Sequence, residues 1–269
     1  MKLSMWTSYF MDLSPEDALA EIGRLDWSHA ELSHEHGLKL LERGSPEAAG
    51  REFRRHADAC AVSVRQGHLD LFVNIGPADE ADRRLAADGL KPWLDLYVAA
   101  GIVRAVIHPG KGPDSGDARR KDVILQSLSE LIDHVGGAEM IFCIENCPSG
   151  EAIKPLIEET SAARVGVCLD TGHLNLTEER PGGFIRWCGA RLVALHLAEN
   201  DKTGDQHNMP FARRGAVPWQ EIAAALKETG YAGTLNYEIP GERGCPLDVR
   251  RMKMDYLKRL STWIFSELD

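Results

Sequence analysis

The chain has 269 residues and an ordinary globular composition, 43% hydrophobic and 27% charged, which suits one (β/α)8 barrel of about 250 residues spanning 1–269 as a single domain. A net charge of -10 with no basic stripe argues against a nucleic-acid partner. No apolar stretch approaches the roughly 20 residues that span a bilayer, and Met1-Lys2-Leu3-Ser4-Met5-Trp6 has no basic region ahead of an apolar signal core, so the expected location is cytoplasmic.

Leu3–Trp6 reads as the first strand. Ser14-Pro15-Glu16-Asp17 starts a helix, with a Ser cap, Pro in the first position and acids in the first turn. A second strand is expected near Ala30–Ser33, with His34 and His36 at its end, either lining the mouth or lying in a Ser-His-Glu-His loop. Ser45-Pro46-Glu47 repeats the helix start. From there, each apolar run ends in a residue able to bind a divalent metal. Val62–Gly67 precedes His68, Val103–Ile107 precedes His108, and Met140–Ile144 precedes Glu145. Val165–Leu169 precedes Asp170, Leu192–Leu195 precedes His196, and Thr234–Tyr237 precedes Glu238. Helices are expected over 90–100, 121–135 and 219–229, each followed by a Gly suited to a left-handed cap, and a last one over 246–265.

A continuous apolar run is a strand buried on both faces, which is the mark of a parallel sheet. Alternation with helices gives the α/β class, and the absence of GxGxxG or a P-loop after the first strand disfavours an open doubly wound sheet. The expected fold is therefore a single (β/α)8 TIM barrel with a metal site at the C-terminal mouth of its strands.

Glu145, Asp170, His196 and Glu238 follow the last four strands. Three carboxylates and an imidazole make a hard, oxygen-rich set suited to Mn, Mg, Co, Fe or Zn. Asp170-Thr171-Gly172-His173 places a histidine beside Asp170 on a first helical turn. Asp205-Gln206-His207 offers two groups that point the same way on extended backbone. With His68 and His108, these residues are candidates for substrate contact or for more than one ion. Arg213 or Arg214 would clamp a substrate oxygen. Trp6 is a candidate to pack on a sugar face, and Trp93 and Trp187 read as helix packing. Residues 110–117 read as a flexible loop. There is no Gly-x-Ser-x-Gly elbow, and Cys143 and Cys168 sit inside apolar runs as small hydrophobes among reduced thiols.

His108-Pro109-Gly110, Ile144-Glu145-Asn146, Leu169-Asp170-Thr171-Gly172-His173, Ala194-Leu195-His196-Leu197, the stretch from Asp205 to Trp219, and Tyr237-Glu238 are similar to the xylose isomerase-like TIM-barrel superfamily. That group includes sugar isomerases and epimerases and the endonuclease IV family. The epimerase members imply one metal held at Glu145, Asp170, His196 and Glu238. Glu145 and Glu238 would then exchange a proton alpha to a carbonyl through an enediolate, with His173 and Arg213 or Arg214 on substrate oxygens. The implied partner is a small carbohydrate, and barrel ends that pair in this superfamily imply a homodimer. The endonuclease IV members imply several zinc ions at His68, His108, Glu145, Asp170, His173, His196, Asp205, His207 and Glu238. They would act as a phosphodiester hydrolase on abasic DNA, the alternative to a metal-dependent sugar isomerase or epimerase.

Overall fold

A computed structural model describes residues 2–110, 118–177, 179–212, 215–241 and 244–266. Among them, eight parallel strands form one sheet in the order β7-β6-β5-β4-β3-β2-β1-β8. They are β1 (Leu3–Trp6), β2 (His29–Leu32), β3 (Ser63–His68) and β4 (Arg104–Ile107), then β5 (Ile141–Glu145), β6 (Val165–Asp170), β7 (Leu192–His196) and β8 (Leu235–Tyr237). A parallel bridge between Leu197 and Tyr237 joins the two edges into a barrel. Leu197 N–H donates to the Asn236 carbonyl at 2.8 Å. Closure removes both sheet edges and turns every strand's C-terminal end toward one mouth.

The helices are α1 (Pro15–Arg24), α2 (His34–Leu41), α3 (Pro46–Ala59), α4 (Glu80–Ala100) and α5 (Ala118–Val135), followed by α6 (Gly150–Glu158), α7 (Thr171–Asn175), α8 (Pro181–Cys188), α9 (Trp219–Glu228) and α10 (Leu247–Ile264). Ser14 and Ser45 cap α1 and α3 as expected, accepting from Asp17 N–H and Ala48 N–H. The segment from Ser33 to His36 departs from expectation. Ser33 is the cap of α2, so His34 and His36 lie in a helix rather than in a loop. His34 stacks on Trp93 with rings 12° from parallel, and His36 is buried with its pKa pushed down to about 4 by burial. Helix α4 begins well before Leu90. Asp79 caps it, Arg83 and Arg84 pair with Glu80 one turn back, and the helix runs on through Gly89 and Pro92.

Large side chains fill the layer between strands and helices. A second, smaller apolar cluster has Val106, Cys143, Cys168 and Ala194 as its buried members, with Ile141 and Val193 packed against it. The buried members stand two positions before His108, Glu145, Asp170 and His196, so strand alternation puts them on the same face, one layer beneath. Gln66 and Asn236 stand likewise beneath His68 and Glu238, and are also buried. The layer under the mouth is therefore small and apolar on β4–β7, and polar on the side of β8 and β1–β3.

Candidate metal centre

The C-terminal ends of β3 to β8 deliver His68, His108, Glu145, Asp170, His196 and Glu238 into one largely buried cluster. Glu145, Asp170, His196 and Glu238 offer ligand atoms that all lie within 4.8 Å of one another. His196 Nδ1 is 3.0 Å from Glu238 Oε2 and 3.3 Å from Glu145 Oε2. Two further groups meet the same 4.8 Å criterion: His68 with Glu145 and His196, and Asp170 with His173 and His207. His108 Nε2 lies 3.3 Å from Glu145 Oε2, and Asp205 Oδ2 lies 3.2 Å from His173 Nε2 and 3.1 Å from His207 Nε2. The structure thus gathers His68, His108, Glu145, Asp170, His173, His196, Asp205, His207 and Glu238 around one centre. Arg213 and Arg214 lie outside the described residues. Trp6 is buried and meets His68 and His196 edge-on.

Local structure explains the placement. Asp170 caps α7, and its Oδ1 accepts from His173 N–H at 2.6 Å, which sets the histidine one turn above it. The Asn146 amide clasps the Asp170 backbone in both directions, accepting from its N–H at 2.6 Å and donating to its carbonyl at 3.0 Å. Tyr97 donates to the His68 carbonyl at 2.6 Å. Gly67 permits this approach, since a Cβ there would stand 2.8 Å from the Tyr97 ring. Glu199 organises the long segment after β7 by accepting from Phe211 N–H, Val217 N–H and Trp219 Nε1. Paired backbone bonds between Glu199 and Asn208 hold His207 at a left-handed φ of 46°.

Glu199 and Glu31 escaped the sequence reading, and Asn146 entered it only as part of the Ile144-Glu145-Asn146 motif, without a role. Glu31 ends inside β2, is 0% exposed, and lies 3.0 Å from His196 Nε2. A carboxylate within a strand flanked by Ala30 and Leu32 was the available signal, because a buried charge is kept only when partnered.

Several buried polar atoms of this cluster make no hydrogen bond among the described residues: Asp170 Oδ2, His173 Nδ1, His196 Nδ1 and Glu238 Oε2. The His196–Glu238 pair is close enough to bond but not aligned to do so. Donor atoms aimed at a common point rather than at each other are what a cation requires, and an orphaned buried acceptor is otherwise costly. The residues present therefore fit a divalent ion.

Charge coupling within the cluster is strong. Burial raises Glu145 and Glu238, but neighbouring imidazoles outweigh it. Glu145 is held well below the usual carboxylate range by His196 and His108, and Glu238 at about 2 by His196 and His207. Burial pushes Asp170 up to about 6. Burial depresses His207, yet Glu238 and Asp205 carry it up to about 10, and His173 and His196 also rise well above the ordinary histidine value. His173, His196 and His207 therefore favour their protonated forms without a metal, so a cation bound by them would displace protons. Apparent affinity for Mn2+ is expected to fall from pH 8 to pH 6 and more steeply below about 6, where Asp170 also takes up a proton. Calorimetric titrations in buffers of different ionisation enthalpy would report the released protons. Affinity independent of pH would show that these groups are not the ligands.

The sequence model of the xylose isomerase-like TIM barrel matches residues 20–260. The chain is 32% identical to the D-psicose 3-epimerase of Agrobacterium fabrum over 218 residues, covering 71% of the chain and 73% of that relative. It is 27% identical over 172 residues to uncharacterized protein y4fM of Sinorhizobium fredii, a match covering 60% of the chain and about half, 55%, of that relative's length. It is 28% identical to the probable endonuclease 4 of Nitratidesulfovibrio vulgaris over 116 residues, 39% of the chain and 41% of that relative. A crystal structure of D-psicose 3-epimerase with D-fructose superposes with a TM-score of 0.80 at 16% identity, covering 98% of this chain and 99% of that one, a likeness of fold.

Proposed function

Because the chain belongs to the xylose isomerase-like TIM barrel family, we propose that it is a divalent-metal-dependent epimerase or isomerase of a small sugar, sugar phosphate or keto-polyol. The observation that supports the reading is the pair Glu145 and Glu238, whose carboxylates both approach His196 Nδ1, at 3.3 and 3.0 Å. The similarity to a D-psicose 3-epimerase across most of both chains supports it. So does a cavity of about 320 Å³ beside His207, walled by Tyr9, Met209, Phe211, Ile239 and Tyr256, a volume suited to a small molecule.

A bound cation would be held by Glu145, Asp170, His196 and Glu238 and would supply positive charge to the oxygens of the substrate. Glu238 takes the proton from the carbon beside the carbonyl, and Glu145 returns one to the opposite face or to the neighbouring carbon. Glu238 is held low, the ionised state that a proton acceptor needs at neutral pH; Glu145 would take up the proton that it returns from solvent or a neighbouring imidazole, and Glu238 would release its own after turnover. In this reading His173, with Nδ1 3.1 Å from Glu145 Oε1, would meet a substrate oxygen. Burial of the cluster excludes water from the carbanion-like intermediate.

Incubation of Mn2+-loaded protein with a panel of ketoses in deuterated water tests the proposal. Deuterium is expected at the carbon beside the carbonyl, together with the epimer or the aldose. No exchange across the panel by metal-loaded protein would overturn it.

A second reading rests on a specific observation. The groups around His68 and around His173 and His207 could hold additional ions, as a multi-zinc phosphodiester hydrolase acting on abasic DNA requires. The shorter match to a probable endonuclease 4 is consistent with this, and the net charge of -10 weighs against it.

A further inference from the structure

We infer that Glu31 is a positioning residue for the metal centre: it orients His196 from below, so that Nδ1 is the nitrogen presented to the ion. The inference rests on the proposed metal site and concerns a residue that the ligand set does not include.

Glu31 is 0% exposed, as is His196. His196 Nε2 lies 3.1 Å from Glu31 Oε1 and 3.0 Å from Oε2, so the ring edge faces both carboxylate oxygens. Its other nitrogen, Nδ1, faces Glu145 and Glu238 and has no hydrogen bond among the described residues. Imidazole has one N–H when neutral. If Nε2–H donates to Glu31, the lone pair is on Nδ1 and points at the ligands. Were the proton on Nδ1, it would occupy the place of the cation and leave Nε2 facing a carboxylate without a hydrogen between them.

The rest of the network holds Glu31 as an acceptor. Gln66 Nε2 donates to Oε2 at 3.0 Å, and the Asn236 amide donates to the same oxygen. Asn236 is in turn turned by Ser4, whose hydroxyl donates to its Oδ1 at 2.7 Å. The carboxylate is thus surrounded by donors contributed by β3, β7 and β8. Backbone geometry contributes too. Where β2 pairs with β3 the register slips between Ala30 and Glu31, so that Glu31 faces Gln66 rather than Arg65. A bulge of this kind re-aims a side chain. A barrel interior is ordinarily filled by branched apolar residues, and a buried ionisable group there is costly unless it has a task. Outer carboxylates that hold ligating histidines typically change metal affinity by about 10–100-fold when removed.

The test is Glu31→Gln, with Glu31→Asp as a second variant that keeps the charge but withdraws it from His196. Each protein is melted without metal and titrated with Co2+, following both the calorimetric signal and the visible absorption of the bound ion, which reports the ligand field. Glu31→Gln is expected to keep a cooperative melt, to bind Co2+ about 10–100-fold more weakly, and to show an altered absorption band. Glu31→Asp should fall between it and the parent. A structural role alone would lower the melting temperature without moving the absorption band or the affinity of the folded protein. Affinity within threefold of the parent in a folded variant, with the same band, overturns the inference. If Glu31→Gln does not fold, the same criteria applied to Glu31→Asp decide. A parent protein that binds no Co2+ would instead remove the metal site on which the inference rests.

Discussion

Glu238→Gln is expected to lower turnover by about 10²–10⁴-fold at saturating metal, the range set by loss of a positioned acid–base group. The substitution keeps the shape of the side chain and an oxygen that can face the cation, and removes the proton acceptor. Glu238 is 7% exposed, and its carboxylate meets His196 at 3.0 Å and His207 at 3.5 Å. Neutralising it also removes an anionic group from the proposed ligand set, so metal affinity should weaken, and activity must be read at metal concentrations that saturate each variant. The check is kcat in a metal titration, alongside deuterium incorporation into a ketose. Turnover within threefold of the parent would take Glu238 out of the proton transfer. A loss wholly recovered by added metal would leave it a ligand and nothing more. Glu145→Gln should be at least as damaging, because Glu145 contacts His68, His108, His173 and His196 together.

Stripping the metal is expected to abolish turnover and to lower the melting temperature by about 10 °C. Binding at a concentration a thousandfold above Kd stabilises a folded protein by about 4 kcal/mol, and for a chain near this size each kcal/mol is worth about 2–4 °C. The cluster gives a specific reason for a large effect. Without an ion, Glu145, Asp170 and Glu238 share a buried space in which, among the described residues, their charges are countered chiefly by neighbouring imidazoles. Elemental analysis of protein purified without chelator, followed by melts with and without EDTA, measures both stoichiometry and stability. One ion per chain with restored epimerisation fits the four-residue site. Three ions per chain with cleavage of abasic duplex DNA would select the hydrolase instead. No bound metal and no thermal shift would exclude both.

The strand ends were legible because a buried parallel strand is a continuous apolar run, and a polar residue at its end interrupts that run visibly. Glu145, Asp170 and His196 each close a strand, and His68 ends β3, as the runs imply. The turn Asp170–His173 was also legible, since a capping acid and a residue three positions on must meet. Helix α2 and the first half of α4 were less so. Ser33-His34-Glu35-His36 lacks an apolar stripe at its start, and Gly89 and Pro92 resemble a break that tertiary packing overrides.

By itself, then, the sequence determined a barrel, the mouth at which its chemistry lies, and the residue types gathered there, because periodicity and strand-end polarity are local properties. What only the tertiary structure decided is which of those residues meet. Asp205 and His207 reach the centre because Glu199 ties down the segment that carries them. Glu31 stands beneath His196, 165 positions away in sequence, because the barrel closes and the β2–β3 register slips. Contacts of such separation are set by closure of the sheet, and no pattern along the chain encodes their distance.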